Sequence, residues 1–256
     1  MEIQLDEITG WVGDFFWPFL RLGALFVAAP IFGARTVPVR IRIILAFVIT
    51  LLIQPTLPFL ETINPLSPEG ILVILQQLSI GLLMGMTLQI MLGALVMAGM
   101  IVATTMGLGF ASTVDPQNGV QVTMLGQFYL IIATLFFLSL DGHLLLLKTL
   151  ADSFTALPIN SELISVQAFW NVSTYVSEMF LMAVLIALPT MVGVLLVNLG
   201  LGVVTRAAPS LNIFAVGFPV TMLAGFILMF LSLPLMSTLL MNLFTSSFDF
   251  MRTMVN

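Results

Sequence analysis

The chain has 256 residues, 60% of them hydrophobic and 7% charged, with a formal net charge of −5 and a mean hydropathy of +1.17. A soluble domain carries about 25% charged residues, so this composition excludes a water-coated globule and sets the class as integral membrane protein. Cysteine is absent, which removes disulfides, thiolate chemistry and cysteine metal sites together. No basic run exists that could track nucleic acid.

Six stretches approach or exceed the roughly 20 apolar residues that cross hydrocarbon, so the expectation is an all-α, multi-pass protein with one membrane domain over residues 1–256. Met1 to Glu7 is acidic and no small-residue cleavage site follows a short apolar core, so the first segment is expected to be retained. That segment runs about Ile8 to Gly33 and holds Asp14 and Arg21. Seven residues apart, they share a face two turns apart without touching. Charges inside a span face protein or water; for Asp14 the alternative is an interfacial position beside Trp11 and Trp17, as in an aromatic belt.

Next comes the chain's cluster of bases, Arg35-Thr-Val-Pro-Val-Arg-Ile-Arg42. Positive-inside bias places it on the cytoplasmic side and the N-terminus outside. The second segment, about Ile43 to Leu60, ends at Pro55 and Pro58. The following loop holds Glu61, Pro65, Pro68 and Glu69 without a base, as an external face would.

From Ile71 to Phe110 the chain is uncharged. At about 1.5 Å per residue this is about double a hydrocarbon core of roughly 30 Å. It must form a very long or broken helix, or a span followed by a re-entrant piece. Gly81 and Gly85 form a small-xxx-small pair that permits close helix approach, and Gln76, Gln77 and Gln89 need polar partners. Met84, Met86, Met91, Met97, Met100 and Met106 share no single face, so they read either as core fillers or as a deformable seal.

Met106 to Gly119 reads Met-Gly-Leu-Gly-Phe-Ala-Ser-Thr-Val-Asp-Pro-Gln-Asn-Gly. Gly107, Gly109, Asp115, Pro116 and Gly119 spell a turn or loop, not a helix. Non-helical backbone at membrane depth survives only where protein buries it or where it lines a watery cavity. Met106, Gly107, Gly109, Phe110, Asp115 and Pro116 are therefore the candidate plug or pore residues. Phe110 either anchors the loop or narrows a pore, where a hydrophobic constriction gates by dewetting.

A fourth segment is expected over about Val120 to Leu147, with Asp141-Gly-His143 near its far end and a loop from Lys148 to Gln167. The fifth runs about Phe169 to Val204 with a kink at Pro189. After a break at Thr205 to Asn212, the sixth reaches about Phe244. With the basic loop inside, six crossings put Asp115 and Arg206 inside and both termini outside. Arg206 reads either as an interface anchor or as a docking residue.

His143 is the sole histidine and Lys148 the sole lysine. Neither a two-histidine metal site nor a glycine-rich phosphate loop with its lysine can be built, and no nucleophile elbow occurs. The expectation is a protein without catalytic activity, cofactor or metal.

Four stretches, in this order and spacing, resemble the FliR family of flagellar biosynthesis proteins, a component of the type III secretion export gate. They are Arg21-Leu-Gly-Ala-Leu-Phe-Val-Ala-Ala-Pro-Ile-Phe-Gly with the bases through Arg42; Gly81-Leu-Leu-Met-Gly-Met; Met106-Gly-Leu-Gly-Phe-Ala with Asp115-Pro116; and Asp141-Gly-His with Thr205-Arg-Ala-Ala-Pro-Ser-Leu-Asn-Ile-Phe-Ala-Val-Gly-Phe-Pro219. The resemblance implies one copy per hetero-oligomer with FliP and FliQ, joined by FlhB and FlhA. It further implies residence in the bacterial inner membrane at the flagellar basal body, in contact with lipid and with unfolded flagellar proteins in transit. It matches residues 107–119 to the family's plug, with Phe110 as its aromatic. The turn holding Arg206, Pro209, Asn212, Phe214 and Gly217 is the candidate subunit contact.

An injectisome export subunit and a scaffold without a gating role are the alternatives. A secondary transporter needs paired intramembrane charges and commonly internal repeats. The charge-free runs Met179 to Thr205 and Ala207 to Phe248 speak against it, and no period of 20 to 50 residues is visible.

Overall fold

The computed structural model describes residues 5–57, 63–65, 67–109, 111–115, 119–160, 163–208 and 213–255, leaving aside the side chains of 5–12, 213, 214 and 255. Its elements are α1 (Leu5–Ala28), α2 (Val39–Ile53) with a tight helical turn at Gln54–Thr56, α3 (Pro68–Thr105), β1 (Ser112–Val114), β2 (Gln121–Thr123), α4 (Met124–Ser139), α5 (Gly142–Ala156), α6 (Val166–Ala207) and α7 (Ile213–Val255). Helices dominate, and the one sheet among the described residues is the two-stranded β1–β2 pair.

Local chemistry fixes the helix starts. Ser67 Oγ accepts from Gly70 N at 3.0 Å, with Pro68 and Glu69 in the first turn of α3. Each satisfies or complements the free N–H groups that begin a helix. Thr123 Oγ1 caps α4 through Gly126 N at 3.0 Å, and Ser165 Oγ caps α6 through Ala168 N at 3.3 Å.

The uncharged third segment is one unbroken helix. At 38 residues for α3, 42 for α6 and 43 for α7, these helices are about 57–65 Å long at ~1.5 Å per residue, about twice the hydrocarbon thickness. Four described stretches are long and apolar enough to cross a membrane: α2 with its tight turn, α3, α6 and α7. The bent pair α4–α5 makes a fifth if taken as one span.

Three expectations are corrected. The fourth segment is not continuous to Leu147: the chain turns at Leu140–Asp141, α4 and α5 meet at 66°, and Asp141 takes a left-handed φ of 54°. The expected loop from Lys148 to Gln167 is helical as far as Ala156. The sixth segment continues past Phe244 to Val255, because Ser247, buried on that last stretch, bonds Tyr175 Oη at 3.0 Å and makes the polar end part of the α6–α7 seam.

α3 is the central element. Its apolar stretch is 56% buried, against 28% for α6 and 22% for α7. It reaches α1 through its paired glycines. A Cβ at Gly81 would lie 2.7 Å from Ala24 Cβ and 2.9 Å from Leu25 N, and one at Gly85 3.0 Å from both Ala29 N and Leu25 O. No side chain fits either gap, so backbone packs on backbone. Along and around this seam Trp17, Leu25, Met84, Leu88 and Met91 fill the interior without exposure. Trp17 therefore belongs to the core and not to an interfacial belt. Met86 and Met100 remain 45% and 56% exposed, so the methionines divide between packing and surface.

Gly85→Leu should lower stability by about 1–3 kcal/mol through overpacking, whereas Gly23→Ala, with nothing within 4 Å of the added carbon, should change it by less than about 0.5 kcal/mol. Thermal unfolding of the purified protein in detergent checks the pair; equal effects would mean the α1–α3 seam is not tight.

Candidate functional site

Beyond Thr105 the chain leaves α3 and returns to α4 through a β-hairpin. Met106 N still donates to Val102 O at 3.0 Å, and Leu108 N reaches back to Ala103 O at 2.8 Å, closing the end of α3. Gly107 then takes φ +77°, a region that disfavours any residue with a Cβ. Strands β1 and β2 pair antiparallel, with Ser112 opposite Thr123, Thr113 opposite Val122 and Val114 opposite Gln121. Asp115 N donates to Val120 O at 2.8 Å, Gly119 N donates to Asp115 O at 2.7 Å, and Met124 N to Ala111 O at 3.0 Å. The hairpin thus satisfies much of its own backbone, which is the condition for non-helical chain beside apolar helices.

Asp115 is 1% exposed. Beside it, Pro30, Gln89, Gly93, Val120 and Val122 line a 250 Å³ cavity between α3, the hairpin and the α1–α2 connection. Phe110 and Pro116, two candidate plug residues, lie outside the described residues, and Gly109 is exposed.

The root of the hairpin is set against α7. Met106 is fully buried and fills the notch at Gly225, where a Cβ would come within 2.6 Å of Met106 Cγ. A Cβ at Gly107 would lie 3.3 Å from the Phe218 ring. Thr104, Met106 and Gly107 share a 420 Å³ groove with Asn198 and Leu201 of α6 and Gly217, Phe218 and Thr221 of α7. Thr221 Oγ1 donates to Asn198 Oδ1 at 2.8 Å across its floor. So Met106 and Gly107 of the candidate plug and Gly217 of the candidate subunit contact, distant in sequence, share one groove. Of the contact residues, Gly217 is buried in this groove and Arg206 is exposed in the last turn of α6, where a cation complements the helix dipole. Pro209 and Asn212 lie outside the described residues, as does the side chain of Phe214.

A polar cluster escapes sequence reasoning. Arg21 is fully buried. Its Nε donates to Gln77 Oε1 at 2.7 Å, Nη1 to Ser153 Oγ at 2.9 Å and Nη2 to Leu157 O at 2.9 Å, and its Cζ lies 3.9 Å from the Phe154 ring centre. Gln77 Nε2 donates to Gln76 Oε1 at 2.7 Å, and Gln76 Nε2 to Asn160 Oδ1 at 2.7 Å. One guanidinium therefore joins α1, α3, α5 and the segment after α5 through neutral acceptors and an aromatic face, without a carboxylate in those contacts. The signal available in the sequence was Gln76-Gln77 inside an apolar run; the partners on α5 fell in what reads as a loop. Gln89 takes no part and stays exposed. His143 Nδ1 is buried with no hydrogen-bond partner among the described residues, where no group of His, Asp and Glu could hold a metal ion.

Residues 12–247 match the family described as bacterial export proteins, family 1. The chain belongs to this family. Curated relatives named flagellar biosynthetic protein FliR agree over nearly the full length of both partners. The one from Pectobacterium carotovorum is 39% identical over 95% of this chain and 93% of its own. That from Escherichia coli K12 is 35% identical over 100% and 98%, and that from Bacillus subtilis 31% over 98% and 98%. Among these bacterial export proteins the present chain pairs seven helices among its described residues with one small hairpin.

The buried guanidinium yields a signed prediction. Gln77→Leu leaves its buried Nε–H without an acceptor, while the bonds to Ser153 Oγ and Leu157 O remain, and should cost about 1.5–3 kcal/mol. Adding Arg21→Met to Gln77→Leu removes the stranded donor, so the double variant should be more stable than Gln77→Leu alone. Denaturation of Gln77→Leu, Arg21→Met and the double variant in detergent decides it; strictly additive losses would mean that the two residues are not coupled.

Proposed function

We propose that the chain is a membrane-embedded component of the flagellar type III protein export gate, and that its 107–119 hairpin helps close the conduit for unfolded flagellar proteins. The FliR names of its relatives support the flagellar assignment, and the export family supports the transport role. By the same resemblance its partners are FliP and FliQ, with FlhB and FlhA, in a hetero-oligomer holding one copy of this chain at the basal body in the bacterial inner membrane. Gly217, one of the candidate subunit contacts, lines the groove at the hairpin root, where a neighbouring subunit could sense the hairpin's position.

The observation that carries the closing role is the hairpin itself. Helices α3 and α4 flank it, yet here the backbone leaves the helical path, pairs with itself and packs at its root against α7. A hydrophobic, movable barrier excludes ions while leaving room for a passing chain. The gating is passive in this reading: no phosphate-binding loop is present in the sequence, and energy comes from other parts of the apparatus. Catalysis plays no part in the proposed role.

Replacing 112–122 by a short glycine linker tests this against a scaffold role. In cells where the gate assembles in normal amount, the shortened chain should raise inward ion leak, measured with a fluorescent ion reporter. An unchanged leak would assign the chain to the scaffold.

A further inference from the structure

The arginines of the α1–α2 connection differ in what they hold. Arg42 Nη2 donates to Ala34 O at 2.6 Å and its Nε to Val37 O at 3.1 Å, while Val37 N donates to Ala34 O at 2.9 Å. The connection is thereby tied to the first turns of α2 as a bracket. Arg40 is exposed. Arg35 reaches out of the bracket to the hairpin. A Cβ at Gly119 would lie 2.8 Å from Arg35 Cζ and 3.0 Å from Arg35 Cδ, and closer still to Nη1. Gly119 has φ +70°, so glycine suits the position twice: by its backbone region and by the space the guanidinium occupies.

We propose that Arg35 is a positioning residue for the hairpin: its side chain, carried by the Arg42-tied bracket and seated on the Gly119 backbone, holds the Gly119 end of the hairpin in the closed arrangement. This deepens the closing role given above and rests on it for its functional meaning. The hairpin is gripped at two places. Its root is fixed by Met106 in the Gly225 notch and by Gly107 against Phe218, so any swing about that root must lift Gly119 away from Arg35. On the same side, Pro30 of the α1–α2 connection lines the cavity shared with Asp115, Val120 and Val122. Among the described residues no hydrogen bond or ion pair involves Arg35. The grip is a packing contact along the side chain, which a rotamer change releases without stranding a buried bond.

The test uses the full chain in its assembled complex. The protein has no native cysteine, so Val122→Cys gives a single reporter at a half-buried position facing the shared cavity. Arg35→Ala should raise the rate of maleimide labelling at position 122 several-fold and raise ion leak, while Arg40→Ala should do neither. An unchanged labelling rate overturns the proposal. Increased labelling with no leak, when the shortened hairpin also fails to leak, supports Arg35 as the hairpin's holder and rejects the closing role. Gly119→Ala provides a second arm. Its added methyl meets the guanidinium, so it should speed labelling strongly in the Arg35 background and less in Arg35→Ala. An equal effect in both backgrounds overturns the contact.

Discussion

The seam between α1 and α3 is the constraint on which the rest of the structure depends. Gly81 and Gly85 remove the side chains that would hold the two helices apart, and between apolar helices close approach of this kind supplies the packing that water supplies elsewhere. Along the same seam Arg21 donates hydrogen bonds to Gln77 of α3 and to Ser153 of α5. Position along α3 is thereby fixed against α1 and α5 together. Since the hairpin is the direct continuation of α3 at Thr105, the placement of any closing element follows from a contact made far below it.

Much of the buried polarity of this chain is matched inside the protein, as lipid or apolar protein around it requires, although Trp17 Nε1, Gln127 Oε1 and His143 Nδ1 are buried without a hydrogen-bond partner among the described residues. The guanidinium of Arg21 finds Gln, Ser, a carbonyl and an aromatic face. Tyr175 and Ser247 meet across α6 and α7 at 3.0 Å, and the strands of the hairpin use each other. Burying Arg21 is costly, and its partners offset that cost only as a set. This makes the cluster a device for specifying one arrangement of α1, α3 and α5 more than a source of net stability.

What could be read from the sequence was whatever interrupts apolarity. Composition gave the class, the glycines and Asp115-Pro116 marked the hairpin, and Gly81 with Gly85 marked a close helix contact. What stayed hidden lies where apolarity is uniform or where polarity serves packing. Nothing in the run from Val120 to Leu147 distinguishes a bend from a straight helix except Asp141-Gly142, two residues that also occur near helix ends. Lys148 and Asp152 suggest a loop, yet they lie on the exposed side of α5 while Thr149 and Ser153 are buried. Beyond Phe244, the expected end of the sixth segment, Ser247 is a buried link to α6 and Arg252 pairs with Asp249 at 3.5 Å on the surface. Trp17 reads as an interfacial aromatic because its ring is amphipathic, while its bulk serves the core. Long-range partners such as Arg21 and Ser153, separated by 132 positions, leave no local pattern at all.

The account turns on whether the hairpin stands in the path of the exported chain. Photo-crosslinking residues placed at Val114 and Gln121, with an export substrate stalled in transit by a folded tail, test this directly in the assembled complex. The account predicts crosslinks from the substrate to both positions and none from a residue placed at the exposed Leu144 of α5. Efficient stalling without a crosslink at either strand would contradict it.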